Sequence, residues 1–169
     1  MIDSDLVERV GREAGSAAAP EERAQRIVEL IRTGTGRRWA GIYRVTDERV
    51  TNLAWSGPDA PAHPSFPRAQ GLTGAAIESG GTVVSNDVAS DPRYLTNQES
   101  TGSELIVPVF VEGKVVGTLD VEDEGTGAFA DADETLSRPL PPRSRLYTPD
   151  PQETTEVATL SVACVTPFA

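Results

Sequence analysis

The sequence predicts an α+β domain in which helices pack against an antiparallel sheet. Three observations carry that expectation. Ala24, Ile27, Val28 and Ile31 recur at helical spacing. Residues Trp39 to Trp55 read as two strands around one polar turn. Glu104 to Val121 holds two nearly continuous apolar runs flanking Glu112-Gly113, the pattern of a hairpin whose strands are buried on both faces.

The elements follow in order. Leu6, Val7 and Val10 form a short apolar stripe, with Gly11 and Gly15 limiting its length. A longer helix starts at Pro20, with Glu21 and Glu22 at its positive end and Gly34 as its expected stop. Its apolar face needs a flat partner, which the next hairpin supplies. There Trp39, Gly41, Tyr43 and Val45 share one side of a strand, and Ala40, Ile42 and Arg44 the other. Thr46 to Arg49 makes the turn, and Val50 to Trp55 returns. Gly57 to Gln70 carries Pro58, Pro61, Pro64 and Pro67, so it reads as a surface loop that excludes helix and central strand. A loop of that length in a compact domain is a candidate lid or binding loop. A short helix is expected from Leu72 to Ser79, stopped by Gly80 and Gly81, and then a brief strand from Thr82 to Ser85. Asp87 to Gly102 is polar, with a helical turn expected after Pro92. Past the second hairpin, Phe129 to Leu136 begins a helix capped near Asp131.

Residues 1–136 therefore read as one domain. Residues 137–169 hold six of the 13 prolines and read as a tail, partly disordered or adding one strand between Val157 and Val165.

Composition narrows the chemistry. Fifteen basic against 26 acidic side chains leave a formal charge of −11, which argues against nucleic acid and anionic membrane surfaces as partners. Ten acids stand against Lys114 alone between Glu99 and Glu134; most form a solvated rim, and two or three suffice to attract a cationic amino group. One cysteine, Cys164, excludes an internal disulfide and a Cys-rich metal cluster, and one histidine, His63, excludes a His-based metal site. No cofactor or metal is expected. No run approaches the roughly 18 apolar residues of a membrane span, and the N-terminus opens acidic rather than as a secretory leader. A cytoplasmic protein is the expectation. Asp120 stands out because a carboxylate after Val115-Val116-Gly117-Thr118-Leu119, in a central strand, must be paired or face a wet cavity.

The order of elements resembles a GAF domain. Four strings, WAGIY (Trp39 to Tyr43), QGLTG (Gln70 to Gly74), SELIVPVF (Ser103 to Phe110) and GTLDVE (Gly117 to Glu122), are similar to the small GAF proteins of the free methionine-(R)-sulfoxide reductase type. The resemblance implies a sheet of about six antiparallel strands, with helices on one face and a ligand cavity on the other. It also implies that Trp39 and Tyr43 wall the pocket, and that Glu104, Asp120 and Glu122 hold the ligand's ammonium group and polarise its sulfoxide. The family works through cysteine thiols: a thiolate attacks the sulfoxide sulfur, and a second cysteine resolves the sulfenic acid. This chain carries Thr73 and Asn97 at the corresponding positions, and neither side chain undergoes that redox cycle. No catalytic residue is therefore assigned.

The expectation is a non-catalytic GAF-fold protein that binds a free amino acid or similar small zwitterion. The alternatives are a residual reductase using Cys164, which requires the tail to fold back, and a dimerisation or interaction module, with the N-terminal helices forming a homodimer. Thr73 is expected to cap or pack its helix, Asn97 to bond its own backbone, and His63 to be exposed and idle. One geometric condition attaches to the site. With a two-residue turn at Glu112-Gly113, an unbroken ladder pairs Glu104 with Val121 and turns it away from Asp120 and Glu122. Convergence of the three acids requires a bulge, expected near Pro108, which has no N–H to donate.

Overall fold

The computed structural model describes residues 4–95 and 100–129. Two helices, α1 (Ser4–Ala14) and α2 (Pro20–Thr35), lead into β1 (Trp39–Val45) and β2 (Arg49–Ser56). A short β3 (Ser65–Pro67), α3 (Gly71–Ser79) and β4 (Val83–Ser85) follow, and β5 (Ser103–Val111) with β6 (Lys114–Asp123) closes the described fold. The six strands form one antiparallel sheet in the order β3-β2-β1-β6-β5-β4.

The two faces of the sheet do different work. Strand alternation sends Ala40, Ile42, Ala54, Leu105, Val109, Leu119 and Val121 to one side, where they pack with Leu6 and Val10 of α1 and Ala24, Ile27, Val28 and Ile31 of α2. The opposite face holds Trp39, Tyr43, Val45, Val50 and Phe66. On that side α3 lays Leu72 and Ala76 on Ile106.

Some boundaries depart from the sequence reading. Gly34 does not end α2; Gly36 does, in the left-handed conformation (φ 68°). Gly34 instead lies inside the helix, where an added Cβ would come within 2.6 Å of the Leu6 side chain, so its lack of a side chain lets α1 close on α2. Gly11 is likewise inside α1, which runs on to Ala14. The proline loop contributes an edge strand, β3, paired with Arg49, Val50 and Thr51; Pro67 fits there because an edge strand leaves one row of N–H groups unused. A turn does form at Pro92 and Arg93, closed by the Tyr94 N–H on the Asp91 carbonyl, and a 3-10 turn precedes it at Val88–Ser90, held by Asp87: its carbonyl accepts the Ser90 N–H and its carboxylate the Ser90 hydroxyl.

The helix expected from Phe129 to Leu136, the tail with its expected strand, Asn97 and Cys164 lie outside the described residues. At the edge of what is described, Phe129 is buried under the Arg37 guanidinium, 4.7 Å from the ring centroid. Its N–H donates to Asn86 Oδ1.

Candidate functional site

The second hairpin decides whether three acids meet. Glu112 and Gly113 both take positive φ (48° and 79°), as a tight turn joining right-twisted strands requires. The ladder begins with Val111 opposite Lys114 and Phe110 opposite Val115, then shifts so that Val109 faces Gly117. Val116 is the extra residue. The bulge thus lies one step from Pro108 and on the facing strand. Pro108 itself sits in register with Thr118, because a strand can leave one ladder donor out without looping. The consequence is the one the site needs: Glu104 pairs with Glu122 and Ile106 with Asp120. All three carboxylates therefore stand on the α3 face of the sheet.

The neighbouring strand completes the floor. Tyr43, Gly41 and Trp39 of β1 lie opposite Thr118, Asp120 and Glu122. Gly41 is required by its neighbour: a Cβ there would reach within 2.2 Å of the Trp39 ring. Of these, Tyr43, Asp120 and Glu122 line an open cleft whose empty space, the solvent at its mouth included, comes to about 360 Å³. Tyr43, Glu104, Asp120 and Glu122 form its base, Phe66 and His63 one side, and Gln70 to Thr73 at the start of α3 the other, with Leu95 at the rim.

Trp39 is not part of that lining. It is fully buried beside Tyr43, ring centroids 6.5 Å apart, and its Nε1–H donates to the Asp59 carbonyl at 3.1 Å. Its place is behind the wall, because Gly41 and Gly57 leave room for the ring to lie flat against the sheet rather than stand into the cleft. His63, expected to be exposed and idle, lines the cleft and is half-buried. Thr73 neither caps nor merely packs α3: its hydroxyl donates to Asp120 Oδ2 at 3.3 Å. Gln70, Leu95 and Phe66 were not singled out by sequence reasoning. Gln70 carried a signal in the QGLTG string, whereas Leu95 and Phe66 carried none.

The electrostatics follow from burial. Glu104, Asp120 and Glu122 are 7%, 4% and 1% exposed, and a carboxylate taken from water with no cation beside it resists ionisation. Burial, then repulsion from Glu122 and Asp120, pushes Glu104 well above the ordinary carboxylate range. Burial also pushes Asp120 up to about 7, against the nearby Thr118 and Thr73 hydroxyls, which favour its charged form. Thr118 Oγ1 sits close by without an aligned partner. Tyr43 is raised by burial and by the same three acids. Thr101 donates its hydroxyl to Glu122 Oε2. Asp120 Oδ1 is buried with no hydrogen-bond partner. Among the described residues no three His, Cys, Asp or Glu side chains are arranged to hold a metal ion, and no helix is long and apolar enough to cross a membrane.

The α3 wall is anchored by backbone contact. A Cβ on Gly74 would come within 2.4 Å of the Ala69 carbonyl carbon and 2.6 Å of its oxygen, and backbone cannot swing aside. Gly74→Ala is therefore expected to lower stability by roughly 2–3 kcal/mol in urea unfolding. It should also shift the first turn of α3; an unchanged midpoint would show that this contact is loose.

A six-stranded antiparallel sheet with two helices on one face, and a polar cleft between the other face and a short helix, defines a class of α+β domain. Comparison with known proteins names the family. A profile of the GAF domain family matches residues 17–140, and the chain belongs to that family. Protein YtsP of Bacillus subtilis is 29% identical over 96 residues, covering 57% of this chain and 59% of that protein. The free methionine-R-sulfoxide reductase of Escherichia coli is 26% identical over 102 residues, covering 60% of this chain and 61% of that protein. The chain thus spans about three-fifths of the length of these relatives. The structure of the Neisseria meningitidis free methionine-R-sulfoxide reductase in complex with its substrate superposes with a TM-score of 0.74. It is 21% identical and covers 96% of this chain and 87% of that one, a likeness of fold.

Proposed function

We propose that the cleft holds a small ligand bearing an ammonium group, of free amino acid type, and does not turn it over. The carrying observation is Asp120: a buried carboxylate with one oxygen left without a partner at the base of a cleft. An unpaired buried acceptor is unfavourable by about 1–3 kcal/mol, and a cationic donor removes that penalty. Glu122, two residues on along β6, and Glu104, opposite it on β5, stand beside Asp120 and add acceptors for a group with several donors. Tyr43 and Phe66, their rings packed edge-on at 5.8 Å, supply apolar area for a side chain. Fold and sequence likeness to free methionine-R-sulfoxide reductases supports this choice of ligand class.

The non-catalytic part of the reading rests on sulfur. The sole cysteine, Cys164, lies beyond residue 140, where the family match ends. Thr73 stands in the cleft wall, and its hydroxyl has no counterpart to the thiol redox ladder.

Calorimetric titration of the full chain with methionine, methionine sulfoxide and other free amino acids tests the reading. At least one is expected to bind with Kd below about 1 mM, without consumption of sulfoxide in the presence of a thiol reductant. Silence across the panel, or turnover that persists after Cys164→Ser, would overturn it.

A further inference from the structure

We propose that Thr73 is a positioning residue of this site: its hydroxyl holds Asp120 by Oδ2 and leaves Oδ1 for the cationic group of a ligand. The inference rests on the ligand-binding reading above and adds the residue that governs how the central acid is presented.

A threonine in the first turn of a helix ordinarily serves the helix. It caps free N–H groups, or it bonds back to a carbonyl one turn earlier. Thr73 does neither. No side chain caps α3, and among the described residues the one hydrogen bond of the Thr73 hydroxyl goes to Asp120. The residue is 5% exposed and lies on the cleft wall. Its hydroxyl has therefore given up local helix partners for a carboxylate 47 positions away.

The surroundings of Asp120 give that one bond its weight. Glu122 and Thr118 face it from β6, Glu104 from β5, Tyr43 from β1, Thr73 from α3, and His63 from the loop before β3. No cation pairs with Asp120 or Glu104 among the described residues. Burial and the charge of Glu122 oppose ionisation of Asp120, and only the two threonine hydroxyls favour it. Thr118 makes no aligned hydrogen bond, so Thr73 is the aligned donor. Only the ionised carboxylate forms a charge-assisted bond with an ammonium group. Removing the Thr73 hydroxyl therefore moves Asp120 further toward its protonated form and makes it less able to bind a cation.

The experiment has two arms on the full chain. In the first, carbon-13 NMR follows the Asp120 carboxyl with pH in ligand-free wild type, Thr73→Val, Thr73→Cys and Thr73→Ser. The midpoint is expected near its wild-type value in the serine variant and about one unit higher in valine and cysteine, which lack a strong donor. In the second, methionine is titrated calorimetrically from pH 6 to 9. Thr73→Val is expected to lose about fivefold in affinity at pH 7 and to regain it by pH 9, as a one-unit shift of the acid dictates. An equal loss at every pH would mark Thr73 as mere packing and overturn the proposal, as would an unmoved carboxyl midpoint. If methionine fails to bind the wild type, the ligand reading falls, and the first arm alone decides the Thr73 assignment. Should circular dichroism show Thr73→Val poorly folded, Thr73→Cys, close to threonine in size, carries the comparison.

Discussion

Asp120→Asn is expected to stabilise the protein at pH 8 while abolishing ligand binding. The sign follows from linkage. Asp120 rises from an ordinary value of 3.8 to about 7 on folding, so between pH 4 and 7 the folded state binds more protons than the unfolded chain. Stability therefore falls as pH rises through that window. A shift of about three units corresponds to a penalty on the order of 4 kcal/mol at pH 8. Glu104, raised by burial and by its acidic neighbours, acts in the same direction. Asparagine removes the charge but keeps two polar atoms in the cleft, so roughly 2 kcal/mol should be recovered, or roughly 5–10 °C in Tm. At pH 5, early in that window, less of the penalty has accrued, so the gap between the variant and wild type should be smaller than at pH 8. Thermal melts at pH 5 and 8 check this. A wild type equally stable at both, or a variant less stable at pH 8, would contradict it. On the proposed function, this arrangement trades stability for a charge held ready for a ligand.

Trp39→Ala is expected to be the most damaging single truncation in the described fold. The ring is fully buried and lies over Gly41 and Gly57, where a Cβ would come within 2.2 and 2.3 Å of it. Those glycines leave a space shaped for this side chain, and backbone does not refill it. Deleting a large buried aromatic of this kind costs about 3–5 kcal/mol. The loss extends outward, because the indole N–H holds the carbonyl of Asp59, within the loop that brings His63 and Phe66 to the cleft. Urea unfolding should show the drop. Trp39→Phe, which keeps most of the ring, should lose less than half as much. A loss under about 1 kcal/mol for the alanine variant would mean that the space collapses freely.

Much of the cleft was legible because strand alternation is a rule about faces. Tyr43 and Asp120 belong to strands whose period is 2, and placing them on one face needed only the pairing of β1 with β6. Asp120 was conspicuous as a carboxylate inside an apolar strand, and its burial with one unpaired oxygen is the physical content of that anomaly. Glu104 needed more, since a register depends on counting every residue between two strands. The required bulge was inferable from the two faces, but its position opposite Phe110 was not. Which strand takes up an extra residue depends on the twist and packing of both.

Sequence alone determined the helix–hairpin order, the two-faced sheet and the absence of a second thiol, because propensity, periodicity and composition are local properties of a chain. Tertiary structure alone decided that Trp39 stands behind Tyr43, that His63 lines the cleft, and that the Thr73 hydroxyl reaches Asp120. Those are contacts between residues far apart in the chain, and no local pattern encodes which of them close. They arise when apolar surfaces pack and each buried polar group is left to find the partner that the packing brings within reach.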